Sequence, residues 1–281
     1  MRQKILFVLL FLFVSGGVFA TEGVLKFGVA PSNPNSAESL KVFANFLAER
    51  TGQLFEVVVF DNEELLSRLS TGELAFADLT SSAFASAQAR YKDKIKYVAT
   101  VAARNEKGEL VPYYKGVFFV LKDSPYNSLF DLKGKSFGFV SKTSTSGYIY
   151  PLATLNNLGI NPDTFFTTVA FAGDHAKIFE GLKTGFLDAG VSNYDALEKA
   201  KLIYGNIFRS VGETAEIPSG AVVASSTVDA ATVKKVEEIL VSIKPTDPVV
   251  NYPGFIYKGW YKKGGGFYDY IKKLVAKWKI F

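Results

Sequence analysis

The chain has 281 residues, of which 48% are hydrophobic, 15% aromatic and 21% charged, with a formal charge of +5. This composition excludes a disordered chain, and the absence of cysteine excludes disulfides, thiolate metal sites, a cysteine nucleophile and a lipid-modified cysteine anchor. One histidine, His175, leaves no two-histidine metal motif, so the chemistry rests on hydroxyls, carboxylates, amides and aromatics.

Arg2 and Lys4 precede an uncharged apolar run over residues 5–14, then Ser15-Gly16-Gly17 and Val18-Phe19-Ala20. The run is too short to span a bilayer of about 30 Å as a helix. Its order of charge, apolar run and small residues is the secretory pattern, which predicts a signal peptide over 1–20 cleaved after Ala20. Removing Arg2 and Lys4 lowers the formal charge from +5 to +3. That excess is small for a nucleic-acid binder, which carries a concentrated basic stripe, but it suits an anionic ligand.

A β-rich segment over 24–30 is broken by Pro31 and Pro34. A helix is predicted over 36–50, with Leu40, Phe43, Ala44 and Leu47 on one face and Thr51-Gly52 at its end. A strand over 55–60, a helix over 63–69, a strand over 74–79 and an alanine-rich helix over 83–89 follow. The rhythm restarts with strands over 115–121, 136–140, 167–171 and 187–191, and helices over 128–132, 148–158, 175–182 and 192–200. Alternation of this kind predicts α/β units built on parallel sheets covered on both faces. Extended segments near 113–116 and 217–221 read as two crossings between lobes, and a helix over 228–243 returns to the first. The predicted division is 21–113 with 222–281 as one lobe and 114–221 as the other. A ligand cleft lies between them, where strand ends and helix starts face each other.

The chemistry centres on Ser141-Lys142-Thr143-Ser144-Thr145-Ser146-Gly147, between a buried-looking strand and a helix start. Five of its seven residues carry hydroxyls. A helix N-terminus adds unpaired N–H donors and a partial positive charge. Together they supply neutral donors for a tetrahedral oxyanion, although one hydroxyl is equally well a helix cap.

Other motifs fail on spacing. Gly134-Lys135-Ser136 imitates the end of a P-loop, but Leu129 stands where its first glycine is needed. Ser146-Gly147 lacks the preceding glycine of a nucleophile elbow, since Ser144 occupies that position. Asp188 and Asp195 are separated across a strand end, and a Ser146–His175–Asp195 hydrolase triad stays open as an alternative. His175, at a strand-to-helix turn, is placed to hydrogen-bond an oxyanion.

Several motifs then occur in order: Gly28-Val29-Ala30-Pro31, Tyr114-Lys115-Gly116, Ser144-Thr145-Ser146-Gly147-Tyr148 before Pro151, Phe171-Ala172-Gly173-Asp174-His175, and Leu187-Asp188-Ala189-Gly190-Val191 followed by Asp195. This pattern resembles the phosphate/phosphite/phosphonate-binding family of periplasmic ABC-importer proteins over roughly residues 24–225. The resemblance implies a type II periplasmic-binding fold of two α/β lobes joined by a two-strand hinge. By resemblance, Ser144, Thr145 and Ser146 hold the oxyanion and His175 adds a contact. Tyr114 matches a cleft tyrosine, and Asp195 matches an acidic position that meets the amino group of aminoalkylphosphonates.

The departures concern the organic end of the ligand. Asn62 follows Asp61 where many relatives carry tyrosine, and no carboxylate lies after Glu216 in Ile217-Pro218-Ser219-Gly220. Thr80-Ser81-Ser82 replaces a Gly-Pro-rich turn, which makes this turn, with Ser82 in it, a candidate source of donors from the opposing lobe as well as a candidate helix cap. The implied function is an extracytoplasmic solute-binding protein that captures phosphonate, phosphite or phosphate and hands it to an ABC permease in the cytoplasmic membrane. A ligand sensor feeding a membrane kinase is the alternative. The expected state is a monomer that is not an enzyme, with no cofactor, metal or nucleic acid. The tail carries Tyr252, Phe255, Tyr257, Trp260, Tyr261, Phe267, Tyr268 and Tyr270 among lysines. These rings are expected to pack a helix over 267–278 onto the first lobe, with lysines facing water.

Overall fold

The computed structural model describes residues 23–30, 36–105, 107–264 and 266–280. The expected signal peptide over 1–20 lies outside the described residues. In chain order the first elements are β1 (Leu25–Val29), α1 (Ala37–Thr51), β2 (Phe55–Val59), α2 (Asn62–Thr71), β3 (Phe76–Leu79), α3 (Ser81–Arg90) and β4 (Ile95–Val101). Short strands β5 (Ala103–Arg104), β6 (Leu110–Val111) and β7 (Tyr113–Tyr114) follow. Then come β8 (Val117–Leu121), β9 (Ser136–Phe139), α4 (Tyr150–Asn157), α5 (Pro162–Phe165), β10 (Thr168–Phe171), α6 (His175–Thr184), β11 (Ala189–Ser192), α7 (Tyr194–Tyr204) and β12 (Phe208–Glu213). The chain closes with β13 (Ile217–Pro218), β14 (Ala221–Ser225), α8 (Ala230–Ser242), β15 (Trp260–Tyr261) and α9 (Asp269–Trp278).

Helix boundaries follow local chemistry. Ser36 caps α1 by accepting from Ser39 N, Asp61 caps α2 by accepting from Glu64 N, and Thr80 caps α3 by accepting from Ala83 N. Gly52 and Gly72 end α1 and α2 in left-handed geometry at φ 79° and 84°, which a residue without Cβ adopts at little cost.

Among the described residues two larger sheets form, in the orders β15-β4-β14-β3-β1-β2 and β10-β9-β11-β8-β12, and β5 pairs with β6 in a small separate one. The purely parallel sheets expected from the alternation are corrected to mixed ones. β14 runs antiparallel to both β3 and β4, and β8 runs antiparallel to β11 and β12. The reason is the path: β8 and β14 each follow a crossing, so they enter their sheets from the opposite end without a βαβ connection. β4 and β12 escaped the sequence reading because polar residues interrupt their alternation. The crossings pair as a two-stranded ribbon, with Ile217 opposite Tyr114 and Pro218 opposite Tyr113. The fold is α/β with two lobes joined by a two-strand hinge, the type II periplasmic-binding architecture.

Each of the two larger sheets buries both faces. On the first, one core holds α1, α8 and the tail residues Phe255, Tyr257 and Trp260, and the other holds α2, α3 and α9. Phe43 stacks on Trp260 with ring centroids 5.9 Å apart and planes at 7°. Tyr268 meets Phe84 edge to face at 4.8 Å, so the aromatic tail is chiefly core. The second sheet buries Phe118, Phe137 and Phe139 on one face and Phe119, Ile178 and Phe179 on the other.

Candidate functional site

β9 is flanked by β10 and β11, and its Phe137 and Phe139 are buried. The chain leaves it through 140–144 and enters a wide π-helical turn, Thr145–Ile149, that runs directly into α4. The helix predicted over 148–158 therefore begins earlier, as this turn. Pro151 near the start of α4 lacks an N–H, consistent with a boundary between the two helix types there. Ser144 Oγ accepts from Gly147 N at 3.0 Å, so this hydroxyl is the cap. Gly147 is required by close approach: a Cβ there would lie 2.4 Å from Val140 Cγ2. Replacing Ser144 with alanine is expected to lower stability by about 1 kcal/mol, the usual worth of a cap. Urea unfolding measures it.

Thr145 and Ser146 are buried at 4% and 2% exposure, and the start of α3 meets them from the other lobe. Ser82 N lies 3.3 Å from Thr145 Oγ1 and donates to it, while Ser82 Oγ donates to Thr143 O at 2.9 Å. The hinge tyrosine Tyr114 lies beside the same group. Burial raises its phenol pKa, opposed by the nearby hydroxyls of Ser146, Ser81 and Thr145. Ser81 Oγ lies near that phenol without closing a well-formed hydrogen bond. Ser82, Thr145, Ser146 and Tyr114 are thus one cluster of neutral donors where the lobes meet, and Ser144 sits at its rim.

The other candidates stand around this cluster at helix starts. His175 opens α6, and its Nδ1 lies 2.9 Å from Ser192 Oγ at the end of β11, a strand that packs against the 145–149 turn. Burial pushes the imidazole pKa down, which keeps the ring neutral near pH 7. A hydrolase triad needs a carboxylate at Nδ1; the serine hydroxyl occupies that place. Asp195 lies in the first turn of α7 and is exposed as a residue. Surrounding protein still raises its carboxyl pKa against the pull of Lys199 and Arg104. Asn62 opens α2 with its Oδ1 buried and unpartnered. Among the described residues no hydrogen bond ties Asn62, His175 or Asp195 to the hydroxyl cluster.

Two carboxylates of the second lobe are committed elsewhere. Asp188 accepts from Ser136 N and Oγ at 2.9 and 2.8 Å, which removes it as a partner for Asp195. Glu213 accepts from Lys115 Nζ at 2.7 Å and from the Tyr194 hydroxyl. Burial raises its pKa, but these bonds outweigh it and hold the carboxyl low. Sequence reasoning missed Glu213, which is placed only by strand pairing with β8, whereas Ser81 belongs to the Thr80-Ser81-Ser82 turn already read as a source of donors.

The chain matches the family model described as ABC transporter, phosphonate, periplasmic substrate-binding protein, over residues 27–252. Among solved structures it is similar to XAC2383 from Xanthomonas citri bound to ATP, at 20% identity and a TM-score of 0.75, covering 92% of this chain and 98% of that one. It is also similar to PhnD1 from Prochlorococcus marinus in complex with methylphosphonate, at 19% identity and a TM-score of 0.73, covering 92% and 99%. A third is a binding protein component of an ABC phosphonate transporter from Pseudomonas aeruginosa, at 18% identity and a TM-score of 0.67, covering 89% and 85%. At such identities the structural likeness speaks for the fold.

Proposed function

The chain belongs to the phosphonate-binding family of periplasmic substrate-binding proteins of ABC transporters, and on that premise we propose that it captures a small phosphorus oxyanion by lobe closure and delivers it to a membrane permease. The family consists of extracytoplasmic binding components rather than enzymes. Among the described residues no helix is long and apolar enough to cross a membrane. We read 21–113 with 222–281 as one lobe and 114–221 as the other, acting as a monomer after cleavage at Ala20.

The observation that carries the proposal is the meeting of two helix starts, one from each lobe, through Ser82, Thr143 and Thr145. Helix starts aim N–H donors and partial positive charge at an anion. The hydroxyls of Thr145, Ser146 and Tyr114 add donors there without a buried cation. Closure brings donors from both lobes onto one ligand, and that differential contact lets a permease distinguish loaded from empty protein. Phosphonate, phosphite and phosphate all present such oxygens. So do the methylphosphonate and ATP held by two relatives of this fold.

Titration calorimetry with phosphite, phosphate, methylphosphonate, 2-aminoethylphosphonate and sulfate tests this reading. Micromolar or tighter binding of one phosphorus oxyanion supports it; binding of none overturns it. His175→Ala is expected to weaken the preferred anion less than Ser146→Ala does, because Ser192 already holds Nδ1. Complete loss of calorimetric binding in His175→Ala would reverse that ranking.

A further inference from the structure

α4 divides its apolar faces between the lobes. Leu155 enters the core of the second sheet with Phe118, Phe137 and Phe139. Tyr150 and Ala153, three residues apart on a helix and so on one face, instead join Phe84 and Ala87 of α3 and Ile271 and Leu274 of α9. The Tyr150 ring, 1% exposed, meets that of Tyr270 edge to face at 5.5 Å and 81°. Further along α9, Trp278 and Ile280 line one side of a crevice whose other side is Thr143, Tyr148 and Leu152. Lys279 shapes the α9 side of this crevice. It adopts φ 50°, the left-handed conformation of a helix end, and Ile280 N donates back to Val275 O at 3.1 Å. That reversal returns Ile280 to the protein at 9% exposure instead of releasing it into solvent.

α9 is packed on α3 of the first lobe, while the residues it touches in α4 follow directly on the turn that carries Thr145 and Ser146. We infer that α9 is a strap across the lobes, in which Tyr270 and Trp278 are positioning residues that hold α4, and through it the hydroxyl turn, against the start of α3. The strap keeps a share of ligand-free molecules closed. Apparent affinity scales with the closed fraction, so the strap tunes affinity for every ligand by one common factor and touches none of them. This inference rests on the oxyanion-binding reading for its effect on affinity, and on the packing alone for its effect on closure.

The test uses Tyr270→Ala and Trp278→Ala in the otherwise intact protein, with far-UV circular dichroism to establish folding. Tyr270 is 45% exposed and so is tolerant of truncation. Ligand-free small-angle scattering is expected to show a larger radius of gyration in each variant than in the wild type. Affinities for methylphosphonate and phosphate are expected to fall by the same factor, about two- to tenfold, the worth of one aromatic contact. Wild-type scattering and affinities in both folded variants would overturn the strap, and so would a changed ratio between the two anions, which would place the side chains on the ligand. If Tyr270→Ala does not fold, Trp278→Ala, near the far end of the helix, decides alone. If the wild type binds neither anion, the functional reading fails, and ligand-free scattering still decides the strap.

Discussion

Ser146→Ala and Thr145→Val are each expected to weaken binding of the preferred phosphorus oxyanion by about 1–3 kcal/mol, the range for hydrogen bonds to charged groups. In affinity this is about fivefold to over a hundredfold. Both side chains are buried, so an anion that loses one of these donors gains no water in its place. The two variants are expected to differ in kind. Ser146→Ala deletes a donor beside Tyr114, and the expected result is a change in the ligand contact alone. Thr145→Val also deletes the acceptor that Ser82 N reaches across the lobes at 3.3 Å, so it loosens closure as well and its dissociation rate is expected to rise more. Calorimetry and stopped-flow dissociation measure the two effects, and unchanged affinity in both variants would place the anion site elsewhere.

The second large effect is on stability and comes from Asp78 in β3. Its carboxyl is pushed up to about 6 by burial, opposed by the hydrogen bond it accepts from the Tyr257 hydroxyl. An ordinary aspartate releases its proton near pH 4 in the unfolded chain. Between those values the native state holds a proton that the unfolded state has lost, so this group makes stability fall as pH rises from about 4 to about 6. From about pH 7 the carboxylate is charged and its contribution is flat, at a cost of about 3 kcal/mol relative to pH values well below 4. Asp78→Asn keeps an acceptor for Tyr257 and removes the titration. Urea unfolding at pH 4.5 and pH 8 is expected to show the variant stabilised over the wild type at the higher pH by up to about 3 kcal/mol, and at the lower by only about 1 kcal/mol. An equal difference at both values would show that the carboxyl is not titrating in this range.

Much of the architecture was legible because short-range chemistry determines it. Leu40, Phe43, Ala44 and Leu47 share one helical face and are buried, and Gly52, Gly72 and Gly185 end their helices in left-handed geometry. The hydroxyl run was legible as an anion site candidate, yet its internal division was not. Ser144 is the cap, while Thr145 and Ser146 are buried beside the other lobe. That distinction depends on a π-helical turn one residue wider than an α-turn, and hydroxyl spacing does not encode it. His175 was read at a helix start and opens α6, while Asn62, read as a turn residue, and Asp195, read as an acidic position, fall in the first turns of α2 and α7; their hydrogen bonding, or its absence at Asn62 Oδ1, required neighbours distant in sequence.

By itself the sequence determined most of the elements and their alternation, though not β4 or β12, together with the two crossings and the run of neutral donors, since caps, periodicity and turn residues act over a few positions. Strand direction was decided only in the tertiary structure. β8 and β14 are antiparallel because of how the chain re-enters each sheet, and no local preference records that path. The tertiary structure also decided that Ser82 meets Thr145, that Asp188 and Glu213 are committed to other partners, and that α4 shares its faces between two lobes. Each of these contacts joins residues tens of positions apart, whose energies are felt only once the sheets have formed and brought them within reach.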